Sequence, residues 1–253
     1  MRIIVFDTET TDLNKCFTYN VGYLIYDTDT AEVLEKQDFV IEQVWYNLPL
    51  FETAYYADKR PLYVSAMKGK RAKMIKFGYA MRKLAKAIAD YEVECGYAYN
   101  SPFDEKVFKF NCDWFKVANP LDVIPIYDIR GLVHQYVAFT EDFQEFCDTH
   151  GLYTETGNYS TTAETVYKYI TGNTDFIEAH TALADSVIEA EILNKIVANS
   201  EAEYNKAYKV YNSVPKGNKK IVVTERTGEV LLVENYRKIR VVKDSNGTQV
   251  ILD

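Results

Sequence analysis

The pattern of apolar and polar residues along this chain predicts strands near its start and helices over much of the rest. Runs of β-branched and aromatic residues predict strands over residues 2–5, 17–26, 32–41 and 93–99, with a shorter one over 125–129. The second and third of these are separated by a short polar turn. A turn this short requires the two strands to pair antiparallel.

Helical periodicity dominates the segments between these strands. Residues 48–56 and 75–89 show it most clearly, and helices are expected again from residue 129 to about residue 212. The most regular helix follows His180, where apolar residues recur every three or four positions and form one buried stripe. The stripe consists of Leu183, Val187, Ile188, Ile192, Leu193, Ile196 and Val197. This order of elements predicts a mixed α/β fold.

A turn-rich segment at residues 213–218 interrupts this pattern and indicates a domain boundary. We predict one domain over residues 1–212 and a small β-rich extension over 213–253. The extension should contain four short strands, near residues 220–224, 230–233, 238–242 and 248–252, with turns at 226–228 and 245–247. Roughly 35 residues are too few for a sturdy core. We therefore expect the extension to pack on the first domain or on another subunit.

Two carboxylates, Asp7 and Glu9, follow the first apolar run. Side chains at positions i and i+2 of a strand point to the same face, so these two should lie side by side. Like charges held this close raise each other's pKa unless a cation lies between them, and all-oxygen ligands favour Mg²⁺ or Mn²⁺. The pair therefore indicates a metal site, although two solvated acids at an ordinary strand end have the same spacing.

A further acid, Asp104, follows the strand predicted at residues 93–99. Ser101 is a favourable N-cap and Pro102 is suited to the first helical position, so Asp104 should lie in the first turn of a helix. A carboxylate at that position can also cap backbone N–H groups, which is a purely structural role. The local sequence leaves both roles open.

The third candidate region runs from His180 to Asp185, where the regular helix begins. The two side chains are five residues apart, about 140° around an ideal helix. They converge only if His180 precedes the helix and Thr181 is its N-cap. A loop histidine beside a half-buried aspartate is well placed for proton transfer. The alternative is a histidine that only packs or lies at the surface.

Taken together, these regions resemble the DEDDh family of 3′–5′ exonucleases, typified by the proofreading subunit of bacterial DNA polymerase III. The family motifs occur in order as Asp7-x-Glu9, Asn100-x-x-Phe103-Asp104 and His180-x4-Asp185. The resemblance covers roughly residues 1–200 and implies an RNase H-like fold, in which helices flank a sheet of parallel and antiparallel strands. One position departs from the family, since Tyr99 stands where relatives often have histidine.

The resemblance implies hydrolysis of phosphodiester bonds with two divalent ions, Mg²⁺ or Mn²⁺. By that resemblance, Asp7, Glu9 and Asp185 hold the ion that carries the attacking water. Asp7 also bridges to the second ion, which Asp104 holds at least partly through water. His180 accepts the proton of the attacking water.

The implied substrate is the single-stranded or frayed 3′ end of a nucleic acid, from which 5′-mononucleotides are released. Glu9 and the backbone of Thr10 and Thr11 are expected to contact the terminal 3′ hydroxyl. DNA is favoured over RNA, and a polymerase or another replication protein is a possible partner. The alternatives are an exoribonuclease of the same family and a protein that keeps the fold but only binds nucleic acid or has a structural role.

The charge distribution changes this picture in one respect. The chain has a net charge of −8, which is unusual for a protein that binds phosphates. Residues 214–253 contribute a net +3 and the remainder −11. The basic residues of this segment are Lys216, Lys219, Lys220, Arg226, Arg237, Lys238, Arg240 and Lys243. Part of the remaining acidity is the metal site, whose ions would neutralise it.

The rest of the composition favours a cytoplasmic protein. Four scattered cysteines form no CxxC pair, so we expect free thiols. No run approaches the roughly 20 apolar residues that span a membrane. The chain enters a strand directly, so we expect no signal peptide.

Overall fold

The structure is a computed structural model that describes residues 1–12, 15–216, 221–224, 230–233, 239–244 and 247–252. The chain divides into two compact units. The first combines Met1–Thr140 with Thr161–Tyr211, and the second combines Glu141–Ser160 with Asn212–Asp253. The domain boundary expected after residue 212 stays a prediction.

The first unit is built on a six-stranded mixed sheet. Its strands are β1 (Arg2–Thr10), β2 (Thr18–Asp27), β3 (Glu32–Ile41), β4 (Lys73–Ile75), β5 (Cys95–Ala98) and β6 (Ile126–Asp128). They lie in the order β4-β3-β2-β1-β5-β6. β1 and β3 pair antiparallel with β2, whereas the other three pairs are parallel. The predicted hairpin and the predicted mixed α/β architecture are confirmed.

Nine α-helices are found among the described residues. They are α1 (Glu42–Trp45), α2 (Leu48–Phe51), α3 (Arg60–Lys68), α4 (Phe77–Asp90), α5 (Ser101–Phe115), α6 (Ile129–Tyr136), α7 (Glu141–His150), α8 (Ala163–Thr171) and α9 (Ala182–Asn199). Two short 3₁₀ helices cover Ala57–Lys59 and Pro120–Val123. None of the helices that the structure describes is long and apolar enough to cross a bilayer.

Strand β1 is central, and its apolar residues are buried on both faces of the sheet. Ile4 and Phe6 belong to the main hydrophobic core, where Phe6 meets Phe108 of α5 edge to face at 5.6 Å between ring centroids. Ile3 and Val5 alternate with them and are also fully buried. Burial on both faces explains why the strand begins as a continuous apolar run. Asp7 and Glu9 follow on the same face as Ile3 and Val5.

Helix α9 packs on the sheet against two residues of β2, Asn20 and Gly22. The side-chain oxygen of Asn20 accepts the N–H of Ala182 at 2.8 Å, which satisfies one free donor at the helix start. Gly22 lies directly under the next turn, where an added Cβ would come within 2.1 Å of the Leu183 nitrogen. The Ser186 hydroxyl also lies 3.3 Å from the Gly22 carbonyl oxygen. The absence of a side chain at Gly22 therefore allows α9 to contact β2 directly.

The structure differs from the sequence-based expectation in several local details. Residues 73–75 form β4, although this region was expected to be mostly helical; they pair in parallel with β3, a long-range contact. Helix α5 begins at Ser101, so its N-cap is Asn100 rather than Ser101, and Asn100 has a left-handed backbone with φ of 64°. Helices were expected to continue to about residue 212, but α9 ends at Asn199.

The second unit contains α7 and two separate β-hairpins. β7 (Ile221–Thr224) pairs antiparallel with β8 (Val230–Val233), and β9 (Ile239–Asp244) with β10 (Gly247–Leu252). The predicted strands of the extension are confirmed. The turn expected at residues 226–228, and residues 245–246 of the second turn, lie outside the described residues. All four cysteines of the chain are described, and all are buried free thiols, as expected.

Candidate active site

Strand β1 carries two of the predicted acids near its carboxyl end. They lie at the edge of the sheet that is formed by the ends of the strands, not by an outer strand. Glu9 is buried, with 7% of its surface exposed, whereas Asp7 is half-buried. The pairing of β1 with β2 shifts register between Glu9 and Thr10, which is a bulge in the ladder. The Thr18 hydroxyl donates to the Glu9 carbonyl oxygen at 3.0 Å beside this irregularity. Bulges re-aim side chains and are common beside functional sites.

Helix α5 brings Asp104 to the same edge. Asp104 lies in the first turn, as predicted, and is buried. It does not act mainly as a helix cap, because its Oδ1 accepts the Thr8 hydroxyl of β1 at 2.6 Å. The turn before the helix is held by Asp128 instead, whose carboxylate accepts the Asn100 N–H at 2.9 Å. Asp104 is therefore fixed directly to the strand that carries Asp7 and Glu9.

His180 and Asp185 converge because the histidine precedes helix α9. Thr181 is the N-cap, as predicted, and its carbonyl oxygen accepts the Asp185 N–H at 3.0 Å. His180 itself has a left-handed backbone with φ of 53°. This conformation turns the chain sharply before the helix and brings the imidazole next to the first turn. Asp185 is buried on the side of α9 that faces the sheet.

Three of the five predicted site residues form a potential metal-ligand group. Glu9, His180 and Asp185 each place a ligand atom within 4.8 Å of the others. Asp7 and Asp104 are not members of this group. They share its electrostatic environment, because the charge of Asp7 raises the pKa of Asp104 and of both acids in the group. The structure thus gathers all five residues at one edge of the sheet.

The acids of this site are held in conditions that oppose their ionisation. Burial is the main cause, and it raises the pKa of Asp7 to about 7. Burial and then the charge of Asp7 raise the pKa of Asp185 to about 10. The same two causes, in the same order, raise the pKa values of Glu9 and Asp104. A bound cation would reverse this effect by neutralising the repulsion.

His180 is held by two tyrosines that sequence reasoning did not single out. The ring of Tyr56 stacks on the imidazole, with centroids 4.0 Å apart and planes 10° from parallel. The Tyr63 hydroxyl donates to the His180 carbonyl oxygen at 3.4 Å. Burial, followed by the positive charge of Lys59, lowers the pKa of His180. The imidazole is therefore neutral at neutral pH and can accept a proton.

Two further acids beside the site were also missed. Glu189 is buried, and its carboxylate accepts the Tyr99 N–H at 3.3 Å. Burial and then the charge of Asp7 raise its pKa. Glu189 is four residues after Asp185, and this spacing on a helix places both on one face, so the sequence contained a signal for it. Glu178 lies 3.9 Å from His180 Nδ1, and burial raises its pKa to about 7.

The residues expected to contact the terminal 3′ hydroxyl lie just beyond Glu9. Thr10 is half-buried, and Thr11 is buried. The Thr11 N–H already donates to the Phe17 carbonyl oxygen at 2.9 Å, so it is not free to contact a ligand in this conformation. The Thr11 hydroxyl, in contrast, is buried with no hydrogen-bond partner among the described residues.

The side chains at this edge fit a divalent cation. Asp185 Oδ1 is buried and has no hydrogen-bond partner in the part of the chain that the structure describes. A buried carboxylate oxygen without a partner is costly unless a ligand satisfies it. The surrounding donors are carboxylate oxygens and one imidazole, a set suited to Mg²⁺ or Mn²⁺. This part of the sheet edge has the chemistry of a metal site.

Comparison with solved structures identifies the fold. The nuclease domain of 3′hExo, a DEDDh family member bound to rAMP, matches 81% of this chain and 96% of its own length, with a TM-score of 0.51 and 13% identity. The chain shares the fold of this nuclease domain. The RNase H-like fold implied by the three motifs is thereby confirmed. At 13% identity the similarity shows a common fold and does not by itself show activity.

Two further matches are weaker. E. coli Exonuclease I in complex with a dA16 oligonucleotide is 16% identical over 78% of this chain and 41% of that chain, with a TM-score of 0.46. Its complex with a dT13 oligonucleotide gives 15% identity, 79% and 41% coverage, and the same TM-score. No protein-family model matches the chain. A search of curated proteins found no significant match.

Proposed function

We propose that this chain is a member of the DEDDh family and a metal-dependent 3′–5′ exonuclease. The observation that carries the proposal is the convergence of Glu9, His180 and Asp185 within 4.8 Å at the edge of an RNase H-like sheet. These residues come from two distant parts of the sequence, and Asp7 and Asp104 add two further acids beside them. Buried carboxylates that repel one another oppose folding when no ion is bound, so their clustering indicates a functional role.

Asp7, Glu9, Asp104 and Asp185 are the residues that would hold two divalent ions, Mg²⁺ or Mn²⁺. When bound, such ions activate water and neutralise the negative charge that develops on a phosphate during hydrolysis. The unpartnered Oδ1 of Asp185 supports this assignment. The Thr8 hydroxyl, which holds Asp104 at 2.6 Å, keeps that carboxylate oriented toward β1.

His180 is the general base in this proposal. Its pKa is lowered by burial, so the neutral imidazole predominates at neutral pH and can accept a proton from the attacking water. Its side chain is 26% exposed, which leaves it accessible to solvent and substrate. Asp185, one turn into α9, lies beside it. The proton is thus accepted next to the carboxylates that hold the ions.

The proposed substrate is the 3′ end of a nucleic acid strand, with release of 5′-mononucleotides. Glu9 and the backbone of Thr10 and Thr11 would contact the terminal nucleotide, which for Thr11 requires its N–H to leave the Phe17 carbonyl oxygen. We retain DNA as the favoured substrate. The solved nuclease domain that shares this fold was bound to a ribonucleotide, so RNA belongs in every test. Association with a polymerase remains a separate proposal, and nothing among the described residues bears on it.

The alternative is a protein that keeps the fold and only binds nucleic acid or has a structural role. All five expected positions hold side chains that can do the chemistry, and the proximity of Glu9, His180 and Asp185 supports a shared role. Burial and the charge of Asp7 raise the pKa values of the other three site carboxylates, and this destabilises the fold when no ion is bound, which favours the enzyme over a purely structural role.

The proposal is tested with end-labelled single-stranded DNA, duplex DNA and single-stranded RNA in Mg²⁺ or Mn²⁺. Asp185→Asn keeps the size of the side chain and removes its charge, and we expect it to abolish hydrolysis of whichever strand the wild type degrades. Asp113→Asn is the matched control, because Asp113 is exposed on α5 in a surface ion pair with Lys109. Wild-type rates for Asp185→Asn, or no hydrolysis of any strand by the wild type, would contradict the proposal.

A further inference from the structure

The imidazole of His180 is stacked on one neighbouring ring rather than free in a loop. Tyr56 covers one face of the ring at 4.0 Å, nearly parallel. Tyr56 is half-buried, whereas its neighbour Tyr55 is 86% exposed. The two tyrosine rings meet edge to face at 4.8 Å, so only Tyr56 presents its face to the histidine. A flat ring at this distance restricts how far the imidazole can tilt.

The backbone of His180 also needs support from its surroundings. Its φ of 53° lies in the left-handed region, which is unfavourable for a residue with a side chain. The Tyr63 hydroxyl donates to its carbonyl oxygen at 3.4 Å, and Tyr63 is almost fully buried. An unfavourable conformation held by several contacts is a common property of functional sites. Here the contacts come from the segment between α2 and the middle of α3.

The edge of the imidazole is flanked by charged groups. Nδ1 lies 3.9 Å from the carboxylate of Glu178. Lys59, Asp58 and Glu164 also act on the ring electrostatically. Glu178 is itself held by Glu164, whose carboxylate accepts the Glu178 N–H at 3.0 Å. Glu9 and Asp185 also lie within 4.8 Å of a ring nitrogen. Among the described contacts of the imidazole, the stack with Tyr56 is the one made to the face of the ring.

We propose that Tyr56 is a positioning residue, which orients His180 for proton transfer by stacking on its ring. The catalytic part of this inference rests on the proposed function, whereas the orientation of the ring does not. Tyr56 acts through its aromatic face, because none of the described contacts to His180 uses its hydroxyl. The inference therefore predicts that phenylalanine can replace Tyr56 and that an aliphatic residue cannot.

The stack itself is tested by proton NMR of the histidine rings at fixed pH. The chain has only three histidines, so its imidazole signals form a simple spectrum, and His180→Asn identifies the signal of His180. A ring stacked on tyrosine experiences an upfield ring-current shift. We expect Tyr56→Leu to move the His180 signal downfield and Tyr56→Phe to leave it near its wild-type position. Tyr55→Leu is the matched control, and because Tyr55 meets Tyr56 and not the imidazole, it should move the His180 signal far less than Tyr56→Leu.

The catalytic part is tested by steady-state kinetics on the strand that the wild type degrades. We expect Tyr56→Leu to lower kcat about 10-fold to 10²-fold with little change in KM, because misplacing a catalytic group by 1 Å can cost about 10²-fold. Tyr56→Phe should retain wild-type kcat. Both results together support the inference.

Three results would overturn it. The His180 signal could stay unmoved in Tyr56→Leu, which would mean that the two rings do not stack in solution. KM alone could rise, which would make Tyr56 a substrate contact. Tyr56→Phe could be as impaired as Tyr56→Leu, which would assign the effect to the hydroxyl. An inactive wild type would contradict the proposed function, and the NMR result would still decide whether the stack exists.

Discussion

Burial of the candidate-site acid Asp7 should make the protein less stable as the pH rises when no metal is present. Burial raises the pKa of Asp7 to about 7 in the folded state, from its usual value of 3.8. The folded protein therefore binds this proton more tightly than the unfolded chain. Stability contributed by the protonated carboxyl is fully present below pH 3.8 and is lost as the pH rises toward about 7.

The size of the effect follows from the shift of about three pKa units, each of which corresponds to about 1.36 kcal/mol. Full ionisation of Asp7 thus costs on the order of 4 kcal/mol. Asp7→Asn cannot ionise, so we expect the variant to gain roughly 3 kcal/mol of stability relative to wild type between pH 4.5 and 8.5. Loss of the Asp7 charge should also ease ionisation of Asp104 and Asp185, which adds to the gain.

The assay is urea denaturation in EDTA at both pH values, for wild type, Asp7→Asn and Asp113→Asn. Asp113 is an exposed acid on α5, so its variant should follow the wild type at both pH values. A saturating concentration of Mn²⁺ should restore wild-type stability at pH 8.5, since a ligand at about 100 times its Kd contributes about 2.7 kcal/mol. The reasoning is refuted if wild type and Asp7→Asn differ by the same amount at both pH values.

Two further predictions concern positions outside the catalytic group. Gly22→Ala should destabilise the protein by about 1–3 kcal/mol in urea denaturation, because the new Cβ would lie 2.1 Å from the Leu183 nitrogen and α9 would have to move. Gly69→Ala is the control and should change stability little, because the atoms nearest to its new Cβ are 3.4 Å away. Burial and then the charge of Arg130 lower the pKa of His134 to about 4. The contribution of His134 to stability should therefore be lost as the pH drops from 6.5 toward about 4, so the melting temperature of wild type relative to His134→Gln should fall over this range. A difference that does not change with pH would contradict this.

The features of this fold that depend on residues close in sequence could be predicted. The hairpin of β2 and β3, the position of Asp104 in a first helical turn and the N-cap at Thr181 were all predictable, because each depends on neighbours close in sequence. Strand β4 was not predictable from local pattern. It has only three residues and exists because it pairs with β3, more than 30 residues away.

Most residues of the candidate site could be predicted from the sequence, whereas the residues that hold them in place could not. The motifs placed the acids and His180 in order along the chain, and Glu189 could have been found from its helical spacing to Asp185. Tyr56 shares no motif with His180 and meets it only through the fold. The sequence likewise does not distinguish Gly22 from other strand glycines, and only the structure shows that α9 packs against it. Such contacts depend on tertiary packing, which single-residue patterns do not contain.

We propose that the acids and His180 at this sheet edge remove nucleotides one at a time from a 3′ end. The most direct measurement is a time course with a 5′-labelled single-stranded oligonucleotide in Mg²⁺ or Mn²⁺, for wild type and Asp185→Asn. For the wild type we expect a ladder of labelled strands that shorten by one nucleotide per step, with 5′-mononucleotides as the product, and for the variant we expect no cleavage. Immediate release of the label as a mononucleotide, cleavage of a circular strand, or an unchanged ladder with Asp185→Asn would contradict it.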